Sequence, residues 1–187
     1  MSDELSIDNQ MTEEQFLAYE QAQELRHEFI AGRVIAMAGG TKNHNRLIKT
    51  LARLLDDKLV DSDCEVFTES IKVKFNQDFF YPDVVVDCAD DEQENEQFAQ
   101  SPKLIIEVLS PSTRDKDKGT KFLRYINIDS VMEYVVVEPN IPSIEVFRRS
   151  QHWQMRHYGL EDSVKFESVD LTVSVIDIYK QIPNLLD

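Results

Sequence analysis

The sequence predicts an α/β (α+β) fold in which a mixed central β-sheet is flanked by helices. Two short apolar runs, VVV at 84–86 and LII at 104–106, are typical of strands that are covered on both faces. A strongly amphipathic segment at 41–60 predicts a surface helix. The predicted elements begin with a helix, a strand and a second helix, and a series of strands and a further helix follow. This is the element order of α/β and α+β folds.

The first third of the chain carries clear helix signals. Thr12, followed three residues later by Gln15, resembles a capping box and predicts a helix through about Phe29. The segment at 32–40 (GRVIAMAGG) predicts a strand that ends in a glycine pair. The second helix, at 41–60, has one apolar face. Its opposite face carries four basic residues: Lys42, Arg46, Lys49 and Arg53. Such a stripe is either a solvated helix face or a surface that meets phosphates.

The remaining elements are mostly strands. Strands are predicted at 65–75, 82–88 and 103–109, with an acidic loop at 89–100, and a helix is predicted at 120–129. EYVVVEP and SIEVFRR predict a strand–turn–strand pair. Further β-structure is expected at 151–158 and 170–176, and a short helical tail at 177–187.

Composition limits the class of protein. A chain of 187 residues and 21.7 kDa is the size of one domain, expected to span 1–187 with residues 1–11 as a disordered acidic tail. The longest apolar runs are too short to cross a bilayer, so no membrane association is expected. Cys64 and Cys88 are too few for a disulfide scaffold, and we interpret them as small buried hydrophobes. These features predict a cytoplasmic protein.

The net charge of −15 argues against tight non-specific binding to nucleic acids, but it is unevenly distributed. Residues 1–30 hold eight acids and one base, and 90–96 hold five acids and no base. In contrast, residues 31–60 hold six bases and two acids, and 110–124 hold five bases and two acids. The two basic stretches are therefore candidates for local contact with an anionic substrate.

Two carboxylates interrupt the apolar strands. Asp83 directly precedes VVV, and Glu107 lies between LII and VL. A carboxylate that is buried alone is costly, so each should be paired, protonated or bound to a metal. If the two strands are neighbours, the carboxylates meet at one end of the sheet, where a divalent cation would cancel their repulsion. Oxygen ligands alone favour Mg²⁺ or Mn²⁺. Pairing with nearby Lys or Arg remains the alternative.

Several motifs together resemble the Uma family of endonucleases, which is abundant in cyanobacteria and belongs to the PD-(D/E)XK nuclease superfamily. The matching pieces are HEFIAGRVIAMAG at 27–39, YPDVVV at 81–86, KLIIEVLSPST at 103–113 and the helix with KxxxY that follows. The resemblance covers about residues 12–150. It implies a restriction-endonuclease-like core and a DNA endonuclease that depends on Mg²⁺ or Mn²⁺.

The resemblance also implies roles for particular residues. Asp83 and Glu107 would hold the metal with the backbone carbonyl of Val108, and Glu28, which would end the first helix, would support the site. The lysine of the E-x-K motif is missing, because Leu109 stands at its position. Lys121 would supply that amine from the following helix.

Substrate contacts are expected from the basic stretches and their neighbours, namely Lys42, Arg46, Arg114, Lys118, Tyr125 and His44. His44 lies on the apolar side of its helix, so it is either a core or capping histidine, which is the commoner case, or a contact to substrate phosphate. DNA is the expected partner, and a homodimer is expected because cleavage of both strands needs two sites.

Two other functions stay open at this point. A degenerate relative would keep the fold and bind a partner or nucleic acid without cleaving, as the missing E-x-K lysine and the overall acidity suggest. A metal-dependent hydrolase of small phosphate esters would need a closed pocket in place of an open basic cleft. Convergence of Asp83, Glu107, Glu28 and Lys121 would favour the nuclease, and a solvent-facing Lys121 would oppose it.

Overall fold

A six-stranded mixed sheet forms the centre of the computed structural model, which describes residues 6–7, 11–37, 39–88, 97–183 and 185. The strand order is β11-β10-β9-β8-β7-β4, and only the β8–β9 pair among these neighbours is parallel. The strands are β4 (Glu65–Thr68), β7 (Val84–Asp87), β8 (Pro102–Val108), β9 (Glu133–Val137), β10 (Ser143–Arg148) and β11 (Met155–Gly159). The predicted strand–turn–strand pair corresponds to β9 and β10.

A smaller antiparallel sheet packs beside the central one, in the order β1-β3-β2-β6-β5. Its strands are β1 (Ser6–Ile7), β2 (His27–Ile30), β3 (Arg33–Ala36), β5 (Val73–Phe75) and β6 (Asp78–Phe80). Two further strands, β12 (Ser163–Phe166) and β13 (Leu171–Ser174), form a separate hairpin. Ser6–Ile7 pairs with β3 in antiparallel orientation, and residues 1–5 and 8–10 of the predicted acidic tail lie outside the described residues.

The helices are α1 (Glu13–Gln21), α2 (Lys42–Leu59), α3 (Arg114–Lys116), α4 (Phe122–Tyr125) and α5 (Val175–Tyr179). A π-helical turn, Asp117–Lys121, joins α3 to α4. These three pieces run on continuously, and we call residues 114–125 the site helix. None of the helices in the described ranges is long and apolar enough to cross a membrane.

Both faces of the central strands are covered, as the apolar runs predict. On one face, Leu47, Leu51 and Leu55 of α2 pack with Val84, Val86 and Ile106, together with α5. On the other face, Val85 and Ile105 pack with Tyr125 of the site helix and with residues of the smaller sheet. The alternation of a strand therefore places Glu107, which shares its side with Ile105, under the site helix.

Several predicted elements differ from the observed ones. Near the end of the chain, the β-structure expected at 170–176 stops at Ser174, and the helix expected at 177–187 is observed at Val175–Tyr179. The first helix keeps its Thr12–Gln15 capping box but ends at Gln21, and residues 27–30 form β2, because pairing with β3 and full burial outweigh local helix propensity. The predicted strand at 65–75 is divided in two at Glu69, which has a left-handed φ of 52°. The helix predicted at 120–129 begins at Arg114 and ends at Tyr125. Most of the predicted acidic loop, 89–96, lies outside the described residues.

The two cysteines form a disulfide, so the interpretation as small buried hydrophobes is wrong. Cys64 precedes β4 and Cys88 follows β7, and the register of these strands pairs Glu65 with Asp87. The cysteine Cα atoms are therefore opposite each other, 4.1 Å apart. The cysteines lend no support to a reducing compartment, and the cytoplasmic location stays a prediction.

Candidate active site

The two predicted metal ligands lie side by side at one end of the central sheet. Strands β7 and β8 are antiparallel neighbours with Val84 opposite Ile106, and one further step of this register sets Asp83 beside Glu107. Asp83 accepts a hydrogen bond from the backbone N–H of Val108 at 2.7 Å, which fixes its carboxylate against β8. Both acids are buried, with 8% and 2% of their surfaces exposed.

Lys121 lies inside this site and is 4% exposed. Its Nζ is 2.7 Å from Oε1 of Glu28, 3.0 Å from Oε1 of Glu107 and 3.4 Å from Oδ1 of Asp117. Lys116 adds a second cation, 3.6 Å from Oε2 of Glu28. Leu109, at the position of the missing E-x-K lysine, is fully buried in the core. The amine next to Glu107 therefore comes from the site helix.

The π-helical turn explains how the site helix delivers Lys121. A π-turn inserts one residue into a helix and rotates the side chains that follow, and such turns are frequent at functional sites. Here it spans Asp117–Lys121, and both end residues are buried. Tyr134 stabilises the turn by donating a hydrogen bond from its hydroxyl to the carbonyl of Asp117 at 2.9 Å.

Burial controls the charges of this cluster. It raises the pKa of Glu107 well above its usual range, against the opposing effect of Lys121 and with the support of Asp117 and Asp83. Burial likewise raises the pKa of Asp117. For Lys121, burial alone would lower the pKa, but the charges of Glu107 and Glu28 outweigh it and hold the pKa well above its usual range. The lysine is therefore an ammonium ion that neutralises its carboxylates.

Glu28 does not end a helix as expected, because it lies in β2, opposite Ile35 of β3. Its carboxylate nevertheless reaches the site, is 4% exposed and contacts both Lys116 and Lys121. Asp83, Glu107, Glu28 and Lys121 thus converge, which is the condition that favours a nuclease.

His44, expected either as a core or capping histidine or as a contact to substrate phosphate, has its ring in the cavity. Its backbone N–H donates to Oγ1 of Thr41 at the start of α2, and its ring Nε2 lies 3.2 Å from Oδ2 of Asp83. Burial lowers the pKa of His44, but the hydrogen bond and charge of Asp83, with the charge of Glu69, raise it above the usual 6.5. The backbone of Val108 adds a smaller effect that also raises this pKa.

A cavity of about 250 Å³ opens between these groups. The polar side chains in its wall include Glu28, His44, Glu69, Asp83, Glu107, Lys116, Asp117 and Lys121. Carboxylate oxygens in such a cavity are ligands that suit a divalent cation. Glu107 uses Oε1 for its contacts with both Lys121 and Tyr125, so Oε2 is the oxygen through which it would bind an ion.

Five of the six predicted substrate contacts lie outside the cavity wall: Lys42, Arg46, Arg114, Lys118 and Tyr125. Arg114 makes a two-pronged ion pair with Glu138, and Lys118 Nζ is 2.9 Å from Oε1 of Glu145. Arg46 donates to the side chain of Asn43, and Lys42 is exposed on α2.

Tyr125 is fully buried, so the prediction that it touches substrate is wrong. Its hydroxyl donates to Oε1 of Glu107 at 3.1 Å, which makes it a positioning residue.

Three residues of the site were missed in the sequence: Glu69, Lys116 and Asp117. Asp117 and Lys121 are spaced i, i+4, the spacing that signals a side-chain pair on one helix, and this signal was available. Glu69 gave no signal, because it lay inside a predicted strand and reaches the site only through its left-handed backbone.

The chain is similar to several known proteins in sequence and in fold. The chain matches the Uma2 family model, "Putative restriction endonuclease", over residues 13–175. Two similar proteins are from Synechocystis sp.: "Uncharacterized protein slr1290" is 31% identical over 174 residues, 91% of this chain and 92% of the relative, and "Uncharacterized protein sll1609" is 34% identical over 143 residues, 74% and 81%. The crystal structure of "a putative nuclease belonging to DUF820" from Anabaena variabilis superposes with a TM-score of 0.75 at 19% identity, over 91% of this chain and 98% of that one. At that identity the likeness shows the fold alone.

Proposed function

The chain belongs to the Uma2 family, described as "Putative restriction endonuclease", and from this premise we propose that it is a metal-dependent endonuclease that hydrolyses phosphodiester bonds of DNA. The observation that carries the proposal is the position of Lys121. Its buried ammonium lies 3.0 Å from Glu107 although Leu109 stands in the E-x-K position, so the site has a cation where this chemistry needs one.

Asp83 and Glu107 would hold a Mg²⁺ or Mn²⁺ ion, with the carbonyl of Val108 as a third oxygen ligand. When bound, the ion would polarise the phosphate and lower the pKa of an attacking water. Glu28 holds Lys121 in place at 2.7 Å, and Tyr125 fixes the Glu107 carboxylate through the same oxygen, Oε1, that Lys121 contacts.

Hydrolysis of a phosphodiester adds one water molecule. The water oxygen bonds to phosphorus, the bond from phosphorus to the leaving oxygen breaks, and the leaving oxygen takes up a proton. Negative charge grows on the phosphoryl oxygens in the transition state, and a fixed cation lowers its energy. Lys121 is such a cation, because three surrounding carboxylates restrict its position and keep it protonated.

One observation favours the second candidate, a nuclease-fold protein that binds without cleaving. Arg114 and Lys118, two of the expected phosphate contacts, are ion-paired with Glu138 and Glu145. Their charge is partly neutralised within the protein, which weakens attraction for a polyanion in a chain of net charge −15.

Cleavage of supercoiled plasmid separates the two candidates. We expect nicking that requires Mg²⁺ or Mn²⁺, stops with EDTA and is lost in Asp83→Ala and Glu107→Ala. Glu161→Ala, an exposed acid outside the site, should cleave at the wild-type rate. Metal binding without cleavage of DNA, RNA or a small phosphodiester would contradict the endonuclease and leave the binding protein. Cleavage of the small ester alone would indicate a small-molecule hydrolase.

Cleavage of both strands needs two active sites, so we further propose that the protein acts as a homodimer. Its mass in solution should be about twice the 21.7 kDa of one chain. A single species at the monomer mass, at concentrations where DNA is cut on both strands, would contradict the dimer.

A further inference from the structure

A second group of ligands converges in the cavity beside the lysine cluster. One ligand atom from each of His44, Glu69 and Asp83 lies within 4.8 Å of the other two. Ligand atoms that share one ion at about 2.2 Å can be at most about 4.4 Å apart, so movements of a few tenths of an ångström would close the set. We propose that these three residues bind a divalent transition-metal ion, and that the site takes Mn²⁺ in preference to Mg²⁺. This inference deepens the proposed nuclease function and rests on it.

The backbone positions these ligands before any ion binds. Glu69 has φ of 52°, a left-handed conformation that costs a residue with a Cβ about 1–2 kcal/mol. Its N–H donates to the carbonyl of Pro82 at 3.2 Å, and its carbonyl accepts from Nη1 of Arg26 at 2.6 Å. Because Pro82 directly precedes Asp83, these bonds keep the Glu69 and Asp83 carboxylates next to each other.

The position of the His44 ring is also fixed by its neighbours. The cap from Thr41 fixes the first turn of α2, and the ring packs directly on the backbone of Gly40. A Cβ added at Gly40 would lie 2.7 Å from Nδ1 of His44, which is closer than such atoms come. The glycine therefore allows the ring to reach Asp83, where Nε2 stands 3.2 Å from Oδ2.

The lysine cluster separates the carboxylates into two sets. Lys121 is paired with Glu28, Glu107 and Asp117, whereas Asp83 is paired with the imidazole of His44. A metal at the second set would bind nitrogen as well as oxygen.

Donor chemistry then decides which metal is preferred. Mg²⁺ takes oxygen ligands and keeps much of its water, whereas first-row transition ions bind imidazole well, and Mn²⁺ accepts both carboxylate and imidazole. The sequence-based expectation of oxygen ligands alone made no distinction between Mg²⁺ and Mn²⁺. His44, which was expected to touch phosphate or the core, provides that distinction.

Metal binding is measured on the full chain without nucleic acid. Mn²⁺ is titrated into the protein and the free ion is followed by its electron paramagnetic resonance, with Mg²⁺ added as a competitor. We expect the wild type to bind Mn²⁺ at least about tenfold more tightly than Mg²⁺. His44→Ala should weaken Mn²⁺ binding by about 10–100-fold, because the loss of a residue that only supports a metal ligand already has an effect of that size. The same substitution should change Mg²⁺ binding much less. Glu69→Gln should weaken the binding of both ions.

A pair of neighbouring glycines provides the matched control. Gly40→Ala should displace the His44 ring and lower Mn²⁺ affinity, although none of the three proposed ligand residues is substituted. Gly39→Ala should have no effect, because a Cβ there meets no atom within 4 Å. Circular dichroism verifies that each variant is folded.

Equal affinity for the two ions in the wild type would overturn the inference, as would His44→Ala and Gly40→Ala variants that keep wild-type Mn²⁺ affinity. Failure of the nuclease proposal looks different. A protein that binds Mn²⁺ as expected but cuts no phosphodiester contradicts only the proposed reaction.

Discussion

Replacement of Lys121 by methionine removes an ammonium that contacts three buried carboxylates. At about 3 Å and an effective dielectric of about 20, each contact with a charged carboxylate is worth about 5 kcal/mol before desolvation is subtracted. Removal of one partner from a buried ion pair typically costs about 3–5 kcal/mol, because the other charge is left uncompensated. We therefore expect Lys121→Met to lower the free energy of unfolding by about 3–5 kcal/mol at neutral pH, and the melting temperature by about 10 °C.

The loss of stability in Lys121→Met should grow as the pH rises. Burial already raises the pKa of Glu107 above its ordinary 4.5, and removal of Lys121 would raise it further. A group whose folded pKa is raised binds its proton more tightly in the native state, so its destabilising effect grows as pH rises above 4.5. The deficit of Lys121→Met should therefore be largest near pH 8 and shrink as the pH is lowered toward 5.

Urea denaturation at several pH values measures this difference. Lys118→Met is the matched control, because its amine forms a partly exposed ion pair with Glu145, and such pairs contribute about 0–1 kcal/mol. A Lys121→Met variant as stable as Lys118→Met, or a deficit that does not change with pH, would refute the reasoning.

Three further predictions concern the neighbours of the site and the sheet. Tyr125→Phe removes a hydroxyl from a buried carboxylate and should cost about 1–3 kcal/mol in urea denaturation and slow cleavage; an unchanged rate would contradict its positioning role. Asp83→Asn should lower the pKa of His44 in an NMR titration, because the carboxylate that raises it is removed. The variant should also lose the stability that protonated His44 contributes, which in the wild type is full below pH 6.5 and is lost as pH rises through the folded pKa; an unchanged pKa would contradict the contact. Reduction of Cys64–Cys88, which are 24 residues apart, should cost about 3 kcal/mol; equal denaturation with and without reductant would argue against the disulfide.

The parts of the fold that were predictable have strong local signals. The helix at 42–59 follows from its periodicity, and strands β7 and β8 follow from their uninterrupted apolar runs. The positions of Asp83 and Glu107 then followed from the strands that carry them. In contrast, the HEFI segment at 27–30 has no pattern that separates a strand from the end of a helix. Its conformation is decided by pairing with β3, which is a tertiary contact.

The geometry around the two carboxylates depended on features that local patterns do not encode. The π-helical turn changes which side of the site helix faces the sheet, so helical periodicity does not place Lys121. Glu69 enters the cavity through one left-handed residue, and the neutralisation of Arg114 by Glu138 spans 24 positions. These contacts join residues that are distant in the sequence or depend on local backbone geometry, so they could be identified only in the folded structure.

The most direct test of the proposed site is nicking of supercoiled plasmid by the wild type and by Glu107→Gln, at saturating Mn²⁺. The substitution keeps the size of the side chain and the hydrogen bond from Tyr125 but removes the negative charge. Metal-dependent nicking by the wild type and its loss in a folded Glu107→Gln protein is the result that we predict. Equal cleavage by both proteins would contradict the assignment of this cavity as the active site.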